Sequence, residues 1–452
     1  MVDVKYFEIP LPEDILKEKW SGHFDECIRL IDKRVQRDIP ECLKKRLLLE
    51  KEVIARLPSQ YPYTKEEVLE KFVKHIPSFT MEDIDELIEL NQLEWIYIDG
   101  IKHFHELSYE NILKTRRDIT GKIENIETRN HELKPKVELN EMMKKMKEKN
   151  GIKYHIHLKL GVKINKEKEG QKIKVHLPLP IEYHQVENVK ILNVSHKDYI
   201  LSPRDHNART LYIEDNYKKG MEFYVEFSYD MNSPYYEYKA EDVSDYQPTY
   251  YTEELAPHIV FTPYLVQLAK EIIKDETNPL LKAKKIYDYI TTHVTYSFVR
   301  SYFLIQEIGE YSAKNLKGDC GLQALLFITL CRIVNIPARW QAGLYVSSES
   351  VGNHDWAEIY IAPFGWLPVD CSFGGGAFRE GNEERREFYF THLDPLRMPA
   401  CNDFQVPLYP PKKYQRNDPY DNQDGEVEYE DEGLTGEDYE TIRELIELKE
   451  IL

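Results

Sequence analysis

Three side chains stand in contexts that suit thiol chemistry. Cys320 follows Gly318-Asp319 and opens a long apolar run, Leu322 to Val334. A run apolar nearly all round reads as a buried helix, ended here by Ile336-Pro337. A helix N-terminus carries about half a positive charge, which lowers a thiol pKa and favours the nucleophilic thiolate. A lone cysteine is usually a small core residue, so partners decide the matter. A thiolate works with a histidine, and the histidine with an orienting acid. His354 precedes the strand-like Trp356–Ile361; Pro363-Phe364-Gly365 is a turn, and Trp366–Val369 returns to Asp370. For His354 and Asp370 to share one face, the pairing parity must be even. The hairpin loop must then hold an odd number of residues, or a bulge must intervene. A carboxylate beside the imidazole fixes its tautomer and supports the imidazolium that pairs with Cys320.

Taken together, Gly318-Asp319-Cys320-Gly321, Leu330 to Arg339, His354-Asp355-Trp356-Ala357-Glu358-Ile359-Tyr360 and Gly365-Trp366-Leu367-Pro368-Val369-Asp370 resemble the transglutaminase-like superfamily core. The resemblance covers about residues 280–375. It implies a papain-like α+β core with Cys320 as nucleophile, His354 as general base and acid, and Asp370 as the orienting group. Asp355 departs from the small residue more frequent there; on a strand its side chain is expected to point away from the His354 face. Members crosslink glutamine to amines, hydrolyse peptide or glycan amides, or have lost activity. The backbone N–H of Cys320 is a reasonable oxyanion donor; Gln306, Asn315, Tyr296 and Gln341 are candidates for a second.

Elements must position these groups. The chain has 452 residues, net charge −19, 42% hydrophobic and 12% aromatic residues, which suits roughly three packed domains. The acidic balance speaks against nucleic acid, and residues 1–150 carry 27 Lys/Arg against 31 Asp/Glu. That region reads as mostly helical: Cys27–Arg37, Cys42–Arg56, and capping boxes at Thr64 and Thr80 opening helices to about Ile76 and Leu90. Trp95–Ile98, Asp99-Gly100 and Ile101–Phe104 form a hairpin. Two short helices and a hairpin resemble a winged helix, read here as a packing or partner-binding module. Residues 114–149 are highly charged and read as a solvated helix or linker.

Period-two alternation over Tyr154–Ile164, Ile173–Leu179 and Phe223–Tyr229 calls for strands covered by a second sheet. The expected architecture is α+β and multidomain: a helical region with a hairpin over 1–150, an antiparallel β-sandwich over 151–245, and the papain-like transglutaminase core over 255–412. Residues 413–452 form an acidic arm. Eleven Asp/Glu and no Lys/Arg between 418 and 440 suggest that it is flexible, with a short amphipathic helix at Ile442, Leu445 and Ile446.

Six cysteines without a CxxC fit neither a disulfide framework nor a zinc ribbon. No apolar run approaches the ~18 residues of a membrane span, and the start lacks a leader pattern, so a reduced, cytoplasmic setting is expected. His155, His157 and His176 read as a solvated strand face rather than a metal site. Cys331 and Cys371 read as core, Cys371 on a strand. Gly374-Gly375-Gly376 lacks the Lys-Ser/Thr of a phosphate loop. The expectation is a thiol enzyme without cofactor or metal, acting on amide bonds of a peptide or protein by hydrolysis or acyl transfer, with neither nucleic acid nor membrane as partner. A non-catalytic protein-binding scaffold is the alternative.

Overall fold

A computed structural model describes residues 3–134, 136–183 and 185–451. The chain mixes helices with several antiparallel sheets. Its centre is the helix Cys320–Ile333, in which every residue from Gly321 to Arg332 is buried. Leu322, Leu325, Leu326, Phe327, Ile328 and Leu330 each contribute about 1.5–3 kcal/mol by leaving water. Asn335, with φ +60°, ends it ahead of Pro337. The helix packs on a four-stranded sheet in the order Gly365–Val369, Val351–Ile361, Ala338–Val346, Arg397–Cys401. At the bulge in the third strand, a Cβ on Gly343 would lie 1.8 Å from the carbonyl oxygen of Met398, so only glycine fits.

Helix Pro279–His293 flanks the central helix. The two strands expected around the hairpin lie within Val351–Ile361 and Gly365–Val369, beside a third at Ala338–Val346.

Two further four-stranded sheets share one apolar cluster, with Leu158, Val175, Ile213, Phe227 and Val427 among its members. Their outer strands correct the reading of the acidic arm. Glu426–Tyr429 pairs with Lys172–Pro178, and Tyr439–Ile451 pairs along Gly151–Ile164. Ile442, Leu445 and Ile446 therefore lie on a strand. Strand pairing absorbs the backbone polar groups, and the buried Lys412 and Arg416 both reach Glu426. Charge density alone did not reveal those cations, because they precede the acidic stretch.

The helical N-terminal elements are Glu13–Ser21, Phe24–Val35, Glu41–Arg56, Lys65–Val73 and Met81–Glu89. Both capping boxes form, and the hairpin has the expected strands Trp95–Ile98 and Ile101–Phe104. Its turn packs on the first helix, where Gly22 accepts the N–H of Asp99. Residues 114–149, read as a solvated helix or linker, are not solvated throughout. Helix Val137–Lys149 buries Leu139, Met142, Met143 and Met146 in a cluster with Trp356, Phe388 and Tyr389. Residues 91–94 are joined to the core by Glu94, which lies 2.7 Å from Lys317 and 2.9 Å from Arg300, with all three side chains at least mostly buried. Among the described residues no helix is long and apolar enough to cross a membrane.

Candidate active site

Asp319 fixes where the central helix begins. Its backbone is extended and its Oδ1 accepts from the N–H of Leu322 at 3.1 Å, so Asp319 is the N-cap and Cys320 the first helical residue. The N–H of Gly321 donates to the Tyr302 hydroxyl at 3.1 Å, and that of Gln323 to the Asp319 carbonyl. Among the described residues the N–H of Cys320 is the first-turn donor left without a partner.

The hairpin meets the parity condition. Ile361 pairs with Gly365, so the loop is Ala362, Pro363 and Phe364, an odd count. Nε2 of His354 lies 2.7 Å from Oδ2 of Asp370. Asp370 itself caps the next helix, Cys371–Arg379, its Oδ1 accepting from the N–H of Phe373 at 2.9 Å. One carboxylate oxygen thus starts a helix while the other holds the imidazole. Oδ2 also accepts from Nη1 of Arg397 at 2.8 Å, and the same guanidinium reaches Asp394 at 2.7 Å. Arg397 is fully buried and its guanidinium lies 4.4 Å from the centroid of the Phe373 ring. The His354 ring lies 4.7 Å from that of Phe373 and 6.0 Å from that of Trp356.

Electrostatics follows from these contacts. Burial acts to raise the Asp370 carboxyl, but His354 and Arg397 outweigh it and hold it below the ordinary range. An ionised Asp370 only accepts, so the proton of a neutral His354 sits on Nε2 and Nδ1 keeps its lone pair. Burial pushes the His354 imidazole down against the pull of Asp370.

Cys320 is partly exposed and lines the same cleft as His354. Its S–H, however, donates to Oδ2 of Asp355 at 3.6 Å. The Asp355 side chain, expected to point away from the His354 face, thus meets the thiol. Residues 357, 359 and 361 share the apolar cluster of the central helix, so that face of the strand meets the helix, and Asp355 meets its first residue. The Asp355 carboxylate also accepts from the Tyr302 hydroxyl at 3.3 Å and from Nε2 of Gln423. Burial pushes the Cys320 thiol well above its ordinary range, and the charges of Asp355 and Asp319 push the same way. The lowering expected from the helix terminus does not prevail. Burial also raises Asp319 to about 6, and burial with Asp319 and Asp418 raises Asp355.

The four candidates for a second oxyanion donor separate. Gln306, Asn315 and Gln341 spend their amide groups on the Phe7 carbonyl, the Tyr311 carbonyl and Glu358. Tyr296 lines the cleft with Cys320. The cleft has a volume of about 840 Å³. One wall belongs to the core, including Tyr296, Phe298 and Phe373. The other comes from residues 110–139, among them Lys114 and Glu138, and Lys134 pairs with Glu349 across the chain.

Elsewhere, His155 pairs with Asp230 at 2.7 Å and His157 with Glu226 at 2.8 Å. His176 is buried rather than solvated, because the segment after residue 400 covers it and its Nε2 meets the Pro410 carbonyl at 2.7 Å. Cys371 is buried but opens a helix instead of continuing a strand. Gly376 lines the cleft, while a Cβ on Gly374 would strike the Tyr287 hydroxyl.

Comparison with known proteins follows this geometry. Residues 266–371 match the transglutaminase-like superfamily core. This transglutaminase-like segment holds Cys320, His354 and Asp370. A Haemophilus influenzae protein of no stated function is 23% identical over 228 residues, covering 42% of this chain and 60% of that protein, so the match spans less than two thirds of the relative. A solved structure of a proposed cysteine protease from Cytophaga hutchinsonii is 13% identical, covers 66% of this chain and 92% of that one, and has a TM-score of 0.40. The periplasmic domain of TgpA from Pseudomonas aeruginosa is 11% identical, covers 56% and 96%, and has a TM-score of 0.28.

Several contributors to the site escaped sequence reasoning. Arg397 is a lone cation in the apolar run Leu396 to Cys401, a pattern that signals a buried, paired charge. Gln423 and Lys114 left no local signal, since each arrives from a distant part of the chain.

Proposed function

We propose that this chain is a thiol enzyme that attacks amide carbonyls of a peptide or protein substrate. Cys320 is the nucleophile, His354 the general base and acid, and Asp370 the orienting group. The observation that carries this reading is the 2.7 Å bond between His354 and Asp370 in the cleft that Cys320 also lines. The raised thiol and lowered imidazole make the resting pair neutral, so the proton leaves sulfur when substrate arrives and excludes water. It passes to Nδ1 of His354 as sulfur bonds to the carbonyl carbon. Negative charge on the carbonyl oxygen meets the open N–H of Cys320, with Tyr296 a candidate second donor. The imidazolium then protonates the departing amine, leaving a thioester. Water or a second amine resolves it, giving hydrolysis or transfer. The residues at hand do this without a cofactor, and the free state of all six cysteines suits a reducing, cytoplasmic setting.

The test is turnover of a peptide library by the wild type and by Cys320→Ala, with and without a primary amine. Cleavage or amine incorporation lost in Cys320→Ala supports the reading; equal product from both proteins sinks it. One observation favours a second reading, a binding scaffold: the sulfur rests on Asp355 with its proton retained. A scaffold predicts peptide binding that is the same in Cys320→Ala and wild type, with no covalent adduct.

A further inference from the structure

Cations in this protein are mostly matched by acids, as the net charge of −19 would lead one to expect. Of those that line the cleft, Lys114, Lys136 and Arg379 are not, and Arg117 meets only the Leu133 carbonyl among the described residues. Lys114 and Arg379 form no ion pair and no side-chain hydrogen bond among the described residues, whereas their neighbours Lys134 and Arg385 pair with Glu349 and Glu380. Lys114 has an acid within reach: Glu110 lies one turn earlier on helix Ser108–Thr115, at the i,i+4 spacing that forms helix salt bridges. The ammonium turns instead to the Tyr296 ring, 3.7 Å from its centroid, with Phe298 at 4.9 Å. There it lies within electrostatic reach of Arg379 and of Cys320. Asp319 lies within electrostatic reach of Lys114, and Glu380 of Arg379, but neither carboxylate forms an ion pair with that cation: Asp319 accepts from Tyr302 and Leu322, and Glu380 pairs with Arg385. Glu110 and Glu138 line the cleft too, but neither engages these cations.

We propose that Lys114 and Arg379 form a subsite for a carboxylate of the substrate, next to the amide that Cys320 attacks. This rests on the proposed thiol reading and adds the substrate class: peptides with an acidic side chain, or a free C-terminal carboxylate, beside the reacting bond. One cation comes from the helical N-terminal region and one from the core, so specificity is set across the cleft while the reacting groups stay on one side of it. Burial lowers the Lys114 ammonium to about 8, which leaves it charged at neutral pH and able to engage an anion.

The test uses two alkylating reagents that differ in charge. Iodoacetate carries the carboxylate; iodoacetamide is its neutral analogue. The readout is the ratio of their rates at Cys320, followed by mass spectrometry, so a general change in thiol reactivity cancels. In the wild type the ratio should exceed that of a small free thiol and fall with added salt. In Lys114→Gln and in Arg379→Gln it should drop about five-fold, the scale of one partly exposed charge pair, and Lys114→Arg should restore it. A salt-independent ratio, unchanged in both variants, overturns the subsite. If Cys320 reacts with neither reagent at any pH, the thiol reading itself fails, which is a separate result. Protection of Cys320 by Ac-Ala-Glu-Ala-NH2, by Ac-Ala-Ala-OH or by the neutral Ac-Ala-Ala-NH2 then separates the sources. Protection by the first or second alone assigns a side chain or a terminus; equal protection by all three overturns carboxylate recognition.

Discussion

The sulfur of Cys320 donates to Oδ2 of Asp355 at 3.6 Å, although the imidazole of its proposed partner belongs to the adjacent residue, His354. A carboxylate against a thiol works against ionisation of that thiol, and burial adds to it. In the proposed mechanism the pair therefore starts neutral rather than as a preformed thiolate–imidazolium.

Alkylation of Cys320 by iodoacetamide should accordingly rise with a midpoint above the ordinary thiol value of about 8.5. Asp355→Asn removes the opposing charge and should move the midpoint to lower pH, with faster labelling at neutrality. The rate profile between pH 6 and 10 checks this; a midpoint below about 7.5 in the wild type contradicts it.

Asp370→Asn keeps the cap and the shape of the site but no longer favours the Nε2–H tautomer of His354. Turnover should fall by about 10²–10⁴-fold, chiefly in kcat, while iodoacetamide still reaches Cys320. Steady-state kinetics on a substrate from the peptide library would decide it.

Arg397→Met leaves Asp370 and Asp394 buried without their shared cation. Breaking such a cluster costs about 3–5 kcal/mol, read from urea unfolding. The pH dependence has a definite sign. Asp370 is held below its unfolded value of about 3.9, so its contribution is present above that value and is lost as pH falls through the lower, folded pKa. In Arg397→Met acid unfolding should begin at higher pH than in the wild type.

Glu94→Ala strips two buried cations, Lys317 and Arg300, of their carboxylate. A loss of about 3–5 kcal/mol is expected. Because Glu94 ties the helical region to the core, proteolysis should first nick residues 91–134. Uniform cleavage along the whole chain would contradict that role.

Much of the central site was legible because its signals are local. A cysteine behind Gly-Asp before an apolar run marks a helix start, and the parity of one hairpin suffices to bring His354 to Asp370. The same locality misled twice. Alternation sent Asp355 away from His354, correctly, but could not tell that the other side of the strand meets the cysteine. The stretch 418–440 looked like a flexible arm, because the cations that pair with its acids (Lys412 and Arg416 with Glu426, Lys166 and Lys168 with Glu432) and the strand that pairs with Glu426–Tyr429 lie outside it. Arg397 and Lys114 depend on tertiary packing alone, and no spacing rule points from them to Cys320.

Gln423 holds both the Asp355 carboxylate and the His354 carbonyl, and strand Tyr439–Ile451 closes the sheet around Gly151–Ile164. A ribosome making this protein releases Cys320 about a hundred residues before the Gln423 amide that its neighbour Asp355 accepts from. The nascent chain thus carries Cys320, His354 and Asp370 well before the residue that bridges Asp355 to the His354 backbone has been made.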